Sequence, residues 1–390
     1  MNFIHQIEPY LTENDIAAVT DYLRSGGWLT EFQTTAEFEQ RLAEFVSAKH
    51  ATVVTSGTAA LYLSLLALGI GPGDSVIVPD FTMIATPNVV RWAGAEPILC
   101  DVDPQTLCLD LNKVRLRPDT LAMIYVPING RSGDMPQVRQ FCRSHGLVLI
   151  EDACQALGSQ SAGQKLGTFG DVGVFSFTPH KIITTGQGGA IVTNDDAVAE
   201  KIRKLKDFHR LQPGVDQHDG VGFNFKFTDL QAVIGIEQLK IIEERIEGRR
   251  NVWRTYAEEL ADLEWLQFLP LGSDDTVPWF ADALLTGVQK QPFLDYMKQQ
   301  GIGCRTFYPP LHTQPPYADQ AGEFLVSSDI AARGVWLPSS IQMPADELRR
   351  VVETIRAYTP QAIEAQQTPL PKPHWDLAKT RAEGQRSASD

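Results

Sequence analysis

Hydrophobic positions along the chain follow two periods. Around residues 14–24 and 36–47 apolar side chains recur every three to four positions, which predicts two amphipathic helices near the N-terminus. Residues 59–68 are apolar almost throughout and end at Gly69, so they predict a helix buried on all sides. Short apolar runs at 76–78, 97–100, 121–126 and 147–150 predict buried strands. The glycines at 69, 71 and 73 precede a strand instead of following one, so they read as a turn and not as a dinucleotide loop. Residues 134–145 predict a helix with Asp134 as its cap, Pro136 in the first turn and Gly146 past the end. Two further runs, 173–177 and 190–193, have the β-branched and aromatic content of strands and enclose a Thr/Gly-rich turn. A Lys/Arg-rich helix is expected at 197–210, and Thr228 with Gln231 sets a capping-box spacing before a long helix at 229–247. Strands alternating with helices predict an α/β architecture with a largely parallel sheet covered on both faces.

After residue 249 the pattern changes to a smaller segment, with strands expected near 279–285 and 303–307 and helices near 292–300 and 345–358. The expected organisation is a large unit at 1–248, a smaller C-terminal α/β unit at 249–365, and a tail at 366–390. The tail is Pro-rich, then polar and short of core formers, which predicts poor order or a surface-draped path.

Composition narrows the function classes. At 390 residues, 43% hydrophobic and 21% charged, the chain is long enough for two units with ordinary soluble cores. A net charge of −14 argues against a nucleic-acid binder, whose footprint is basic. No apolar run reaches the length of a membrane span, and the N-terminus lacks the basic and apolar regions of a signal peptide. Five cysteines, an odd number without a CxxC pair, fit reduced thiols in a cytoplasm and not a disulfide framework. No structural metal is expected: the acidic and histidine residues at 216–219 read as a polar loop. The basic residues at 201–210 read as a solvated helix face, part of which is available to a diphosphate.

The turn between the 173–177 and 190–193 runs holds one charged residue, Lys181. A lysine is costly to desolvate, so two readings stand side by side. Either the amine is partly desolvated, has a depressed pKa and attacks a carbonyl to form a Schiff base, or it snorkels from the turn to solvent. Ser56, Gly57 and Thr58 open the apolar helix, whose buried N-terminus offers free N–H groups, a positive dipole end and two hydroxyls, a ready phosphate site. An ordinary Ser/Thr cap is the plainer alternative. Asp152 follows the 147–151 run, at the carboxyl end of a predicted parallel strand, where ligands of such sheets collect.

Phe175-Ser176-Phe177, three residues, Lys181 and then Gly186-Gln187-Gly188-Gly189 resemble the Schiff-base lysine segment of the DegT/StrS family of pyridoxal-phosphate sugar aminotransferases. The order of motifs agrees from about residue 28 to about residue 358. The resemblance implies the aspartate-aminotransferase-type fold (fold type I), with a mixed, mostly parallel sheet in the large domain and a smaller C-terminal α/β domain. It also implies pyridoxal 5′-phosphate as cofactor. On it, Lys181 holds the cofactor and Asp152 pairs with the pyridine nitrogen, keeping the ring protonated as an electron sink. Gln155 lies near the ring hydroxyl, and Ser176 with Ser56, Gly57 and Thr58 near the phosphate. Asn224, in the segment 222–229, reaches the phosphate in the neighbouring subunit, which makes the protein a homodimer with shared sites; a cap or turn in its own chain is the plainer role. Trp28, Arg305, Tyr308 and His312 fall where the family places substrate contacts, and the 304–317 segment resembles that of perosamine synthase-like members.

Two residues and one segment depart from the family pattern. Met83 stands where many members stack an aromatic ring on the pyridine; its polarizable sulfur still packs on a ring. Gln187 replaces a usual glutamate, and the segment 127–131 (PINGR) replaces a frequent VHLYG, a change that bears on substrate more than on cofactor. The implied activity is transfer of an amino group from glutamate to a nucleotide-linked 4-keto-6-deoxy sugar, for amino-sugar biosynthesis. The 222–228 segment and the helix after it side with amination at carbon 4, and a GDP link is preferred. The alternatives are a 3-aminotransferase, a 3-dehydratase of the same family, which carries histidine in place of the lysine, or a cofactor-binding regulator without turnover.

Overall fold

Local sequence sets most element ends. The computed structural model describes residues 2–360 apart from 213 and 274. It opens with α1 (Glu13–Arg24), capped reciprocally by Thr12 and Asp15, and α2 (Gln33–Val46). Then follow β1 (His50–Val54), α3 (Gly57–Ala67), β2 (Ser75–Pro79), α4 (Ala85–Trp92), β3 (Glu96–Cys100), β4 (Thr120–Tyr125), α5 (Met135–Ser144) and β5 (Val148–Asp152). A short hairpin, β6 (Gln160–Ser161) and β7 (Gln164–Lys165), leads to β8 (Val172–Ser176) and β9 (Gly189–Thr193). The strands order as β1-β9-β8-β5-β4-β2-β3. β3, β2, β4, β5 and β8 run parallel, whereas β9 is antiparallel to both neighbours. The sheet is thus mixed and mostly parallel. Every residue of β2, β8 and β9 is buried, as expected of strands covered on both faces.

Two helix expectations are corrected. The basic helix stops early, as α6 (Asp196–Lys206), because Lys206 turns inward and Phe208 and His209 adopt left-handed backbone. Its amine lies 3.1 Å from Glu31 and 3.2 Å from Glu39. Lys204 pairs with Asp219 at 2.7 Å and Arg210 with Asp216, so most of this cationic cluster is neutralised within the chain and is not left for a diphosphate. The long helix breaks at Ile241 into α7 (Asp229–Lys240) and α8 (Ile242–Glu259). The halves pack on different partners: α7 on α1 and α2, α8 on later elements.

Those later elements are β10 (Leu266–Phe268), β11 (Ala281–Leu285), α9 (Lys290–Gln299), β12 (Arg305–Thr306), α10 (Leu325–Arg333), β13 (Gly334–Leu337) and α11 (Ala345–Ala357). Four strands form an antiparallel sheet, β10-β11-β13-β12. Two hydrophobic clusters result. Helix α8 belongs to both: Ile242 and Ile246 pack into the main-sheet cluster, Val252 and Tyr256 into the second. The expected boundary at 248/249 falls inside this helix, and the expected tail at 366–390 lies outside the described residues. Among the described residues no helix is long and apolar enough to cross a membrane, and no group of three or more His, Cys, Asp or Glu is placed to hold a metal. All five cysteines are free thiols.

Candidate active site

The site grows from the carboxyl end of β5. Strand alternation sends its last two carboxylates to opposite faces. Glu151 turns into the loop after the hairpin and accepts backbone N–H bonds from Gly167 and Gly170, both 2.7 Å, and from Phe169. Burial pushes its carboxyl up to about 7 against those donors. Asp152 faces the other way. Its carboxylate accepts from the Thr86 hydroxyl at 2.8 Å and the Cys154 N–H at 3.3 Å, leaving it fixed beside the cavity that holds Lys181.

Lys181 sits in the turn between β8 and β9, its own N–H bonded to the Thr178 carbonyl at 3.0 Å. The amine points inward, over the Trp279 ring at 3.9 Å from the centroid. Burial lowers its pKa to about 8; Cys154 and Asp152 oppose the shift and Arg249 adds to it. The snorkelling reading is therefore set aside: the amine is desolvated and faces the cavity. His180 next to it is exposed. Cys154, Gln155, Ser176, Arg249 and Trp279 line the same cavity as Lys181.

The N-terminus of α3 borders this cavity. Ser56 caps the helix through its hydroxyl, which accepts from Ala59 N at 3.0 Å. Gly57 permits close approach: a Cβ there would lie 2.8 Å from Cys154 Sγ and 3.0 Å from Ser176 Cβ. Gly189 presses on the same turn, where a Cβ would meet the Ser56 carbonyl carbon at 2.4 Å. Thr58 lies in the first turn, half-buried. Gln155 accepts the Asn129 N–H at 2.8 Å. Met83 is exposed in the loop before α4, its carbonyl taking the N–H of Thr86, the residue that holds Asp152.

The remaining expected residues divide. Tyr308 packs on Trp336 at 4.9 Å, its phenol pushed up by burial and, secondarily, by Asp152 and Cys154, so it borders the site. Arg305 is exposed, with its guanidinium 5.9 Å from the Trp336 ring centre. His312 is held by buried Asp80: Nδ1 lies 2.7 Å and the backbone N 2.8 Å from its carboxylate, and the ring stacks on Phe324. Trp28 (64% exposed) and Asn224 lie on the surface, away from the Lys181 cavity lining.

Sequence reading missed Thr86, Cys154, Arg249, Trp279 and Asn129. Asn129, in left-handed backbone, exchanges bonds with the Phe280 backbone at 2.6 and 2.9 Å, and buried Arg131 grips Asp282 at 2.5 and 2.9 Å. The 127–131 segment thus anchors the stretch that carries Trp279. The available signal for Arg249 was its spacing: Ile242, Arg245, Ile246, Arg249 and Val252 share one helix face.

The donor set suits pyridoxal phosphate. A desolvated amine faces the cavity, the Asp152 carboxylate acts on it from beside the lining residue Cys154, and hydroxyls and free helix N–H groups meet in a cradle that a single Cβ would fill.

Comparison with known proteins agrees with this chemistry. The profile of the DegT/DnrJ/EryC1/StrS aminotransferase family matches residues 9–356. GDP-perosamine synthase of Vibrio cholerae is 34% identical over 358 residues, covering 90% of this chain and 98% of the relative. GDP-perosamine synthase of Caulobacter vibrioides is 36% identical over 343 residues, covering 82% and 88%. Among solved structures, the aminotransferase TlmJ of Streptoalloteichus hindustanus superposes with a TM-score of 0.87 at 30% identity, covering 91% of this chain and 98% of that one. The chain belongs to the DegT/DnrJ/EryC1/StrS aminotransferase family, whose cofactor is pyridoxal 5′-phosphate.

Proposed function

We propose that this family member transfers an amino group from glutamate to carbon 4 of a nucleotide-linked 4-keto-6-deoxy sugar, with a GDP link preferred. The observation that carries the reading is a desolvated Lys181 amine facing a cavity beside the start of α3, with the Asp152 carboxylate close enough to act on it. When bound there, pyridoxal phosphate supplies an electron-withdrawing ring that makes the proton on the substrate carbon transferable. Lys181 would hold the cofactor at rest and then move that proton; with its pKa lowered to about 8, a useful fraction of the free amine is neutral at pH 7. Asp152, oriented by Thr86, keeps a proton on the pyridine nitrogen. Ser56, Gly57, Thr58 and Ser176 would hold the phosphate, Gln155 would serve the ring hydroxyl, and Met83 would pack on the ring.

Carbon 4 and the GDP link come from the 222–228 and 304–317 segments and from the GDP-perosamine synthases among the relatives. Arg305, Tyr308, His312 and Trp28 are assigned to the substrate side. Asn224 is exposed on its own chain, which suits a role at a neighbour's phosphate in a homodimer. A division into units at 1–248 and 249–365 is supported by the two hydrophobic clusters that α8 joins, and the free thiols suit a cytoplasmic enzyme. Lys181 facing the cavity beside exposed His180 disfavours the dehydratase.

The test is a half-reaction screen. Glutamate is expected to bleach the yellow loaded enzyme, and a 4-keto nucleotide sugar to restore the colour with a new C4–N bond visible by NMR. Amination only of a 3-keto sugar would overturn the position. Failure of glutamate and every keto sugar to change the colour would favour a non-catalytic protein.

A further inference from the structure

Helix α8 carries two buried arginines one turn apart, Arg245 and Arg249, where it passes from one core to the other. Among the described residues neither forms an ion pair with a carboxylate; their bonds go to backbone carbonyls. Arg245 takes those of Ile182 and Tyr10, and Arg249 those of Ser339 and His180. The Nε of each is buried without a partner. A buried guanidinium without a counterion is costly, so its place beside a functional cavity calls for a reason beyond clamping two carbonyls.

The reason lies one residue from Lys181. The His180 carbonyl accepts from Trp279 Nε1 at 3.0 Å and from Arg249 Nη2 at 3.3 Å. Segment 279–280 and helix α8 thus hold the lysine's backbone from two sides, while the Trp279 ring carries its amine. Arg249 also lines the lysine's cavity.

We propose that Arg249 is a positioning residue for Lys181: with Trp279 it fixes the lysine's backbone, and it provides the unneutralised cation that faces the amine. The inference rests on Lys181 being the cofactor lysine. Asp152 and Cys154, at and beyond the end of β5, face the amine and favour its charged form; Arg249, from α8, disfavours it. His180 lies on the same turn, Arg305 of β12 acts on His180, and Arg245 stands behind Arg249. Tyr308 closes the side near Asp152 and Cys154. Arg249 itself is pulled down to about 9 by burial and by Arg245, the mark of a cation with nothing to neutralise it.

The test titrates the loaded enzyme with pH and follows the absorbance of the lysine–cofactor linkage. Arg249→Met removes charge and donors, and its midpoint is expected to rise by about one pH unit. Arg249→Lys keeps the charge, and its midpoint is expected within a few tenths of wild type. Trp279→Phe keeps the ring but loses the bond to His180; kcat is expected to fall with the midpoint and the donor KM unmoved. Should Arg249→Met fail to fold, Arg245→Met reads the same field and is expected to shift the midpoint in the same direction by less. Lower thermal stability in every variant with no shift in midpoint would reduce Arg249 to a clamp and overturn the proposal. A rise in donor KM alone would make it a donor-carboxylate ligand and overturn the proposal equally. Borohydride labelling keeps the two readings apart. No label on the Lys181 peptide sinks the proposed function, whereas a label there with an unshifted Arg249→Met midpoint sinks only this inference.

Discussion

The two ends of the cleft are built by different means. At the Lys181–Asp152 end, the functional groups come from the end of a buried strand, the start of a buried helix and the turn that joins two buried strands of the main sheet. Positions are set there by ladders of backbone hydrogen bonds and by glycines that leave no room for drift. At the 305–317 end, the side chains come from a two-residue strand at the edge of the second sheet and from the short turns that follow it, which pack against the main-sheet cluster. One is exposed, one is already tied to a buried carboxylate, and only Tyr308 reaches toward Asp152. The rigid end suits a chemistry that all members share, and the looser end suits a substrate that differs between them.

If that contrast holds, substitutions at the rigid end should strike rate and cofactor, and the largest effect should come from Lys181→Met. Turnover is expected to fall by at least about 10³-fold, since the proposed anchor and proton carrier are lost together. Stability should move the other way. The folded amine has a pKa near 8, below its unfolded value near 10.5, so the folded state holds that proton less tightly. Stability from this group is complete above 10.5, falls as pH drops toward 8, and stays reduced below it. Cofactor-free Lys181→Met is therefore expected to be more stable than cofactor-free wild type at pH 7, by about 3 kcal/mol, with the gap narrowing to about 1 kcal/mol by pH 10. Denaturant melts at both pH values check this, and an equal gap at both would mean the amine is not desolvated.

Asp152→Asn comes next. It keeps the shape and the Thr86 bond but removes the charge, so cofactor should still bind while kcat falls by about 10²-fold. Full activity would assign the ring nitrogen to another group. Gly57→Ala tests the cradle: its Cβ must displace Cys154 Sγ or Ser176, at a cost of about 1–3 kcal/mol. Cofactor titration should show about tenfold weaker binding, with less loss of kcat once the enzyme is saturated.

The same contrast explains what the sequence discloses. Strands β2, β5 and β8 and helix α3 are legible because burial on both faces writes a continuous apolar run; Lys181 stands out as the one charged residue in the turn between two such runs, and Asp152 as a carboxylate at the end of one. Thr86 and Asn129 are not legible, because a short polar residue reads the same whether it faces water or a carboxylate across the fold. The ends of α6 and α7 escape for a related reason. No Gly or Pro marks Lys206 or Ile241; the stops come from a buried ion pair and a change of packing partner, both non-local. His312 adds a contact that its motif does not announce: the motif points to substrate, and the fold ties its Nδ1 to Asp80.

The substrate end should answer weakly and in a different observable. His312→Asn leaves fully buried Asp80 with only backbone donors beside it, and is expected to cost about 1–3 kcal/mol of stability with kcat near wild type. A large loss of kcat at unchanged melting temperature would move His312 into the reaction and blur the line between the two ends. Arg305→Ala is the smallest expected effect and the sharpest test of the contrast. The guanidinium is exposed and half-draped on Trp336, so removing it disturbs no core and frees no buried partner. An exposed cation attracts a phosphorylated substrate through solvent, which is worth roughly 1 kcal/mol and is screened by salt. KM for the nucleotide sugar should therefore rise about three- to tenfold at low salt, by less at high salt, with kcat and the KM for glutamate unchanged. Were kcat to fall instead, with KM and its salt dependence untouched, Arg305 would belong to the rigid end, and the division drawn between the two ends would be wrong at that residue.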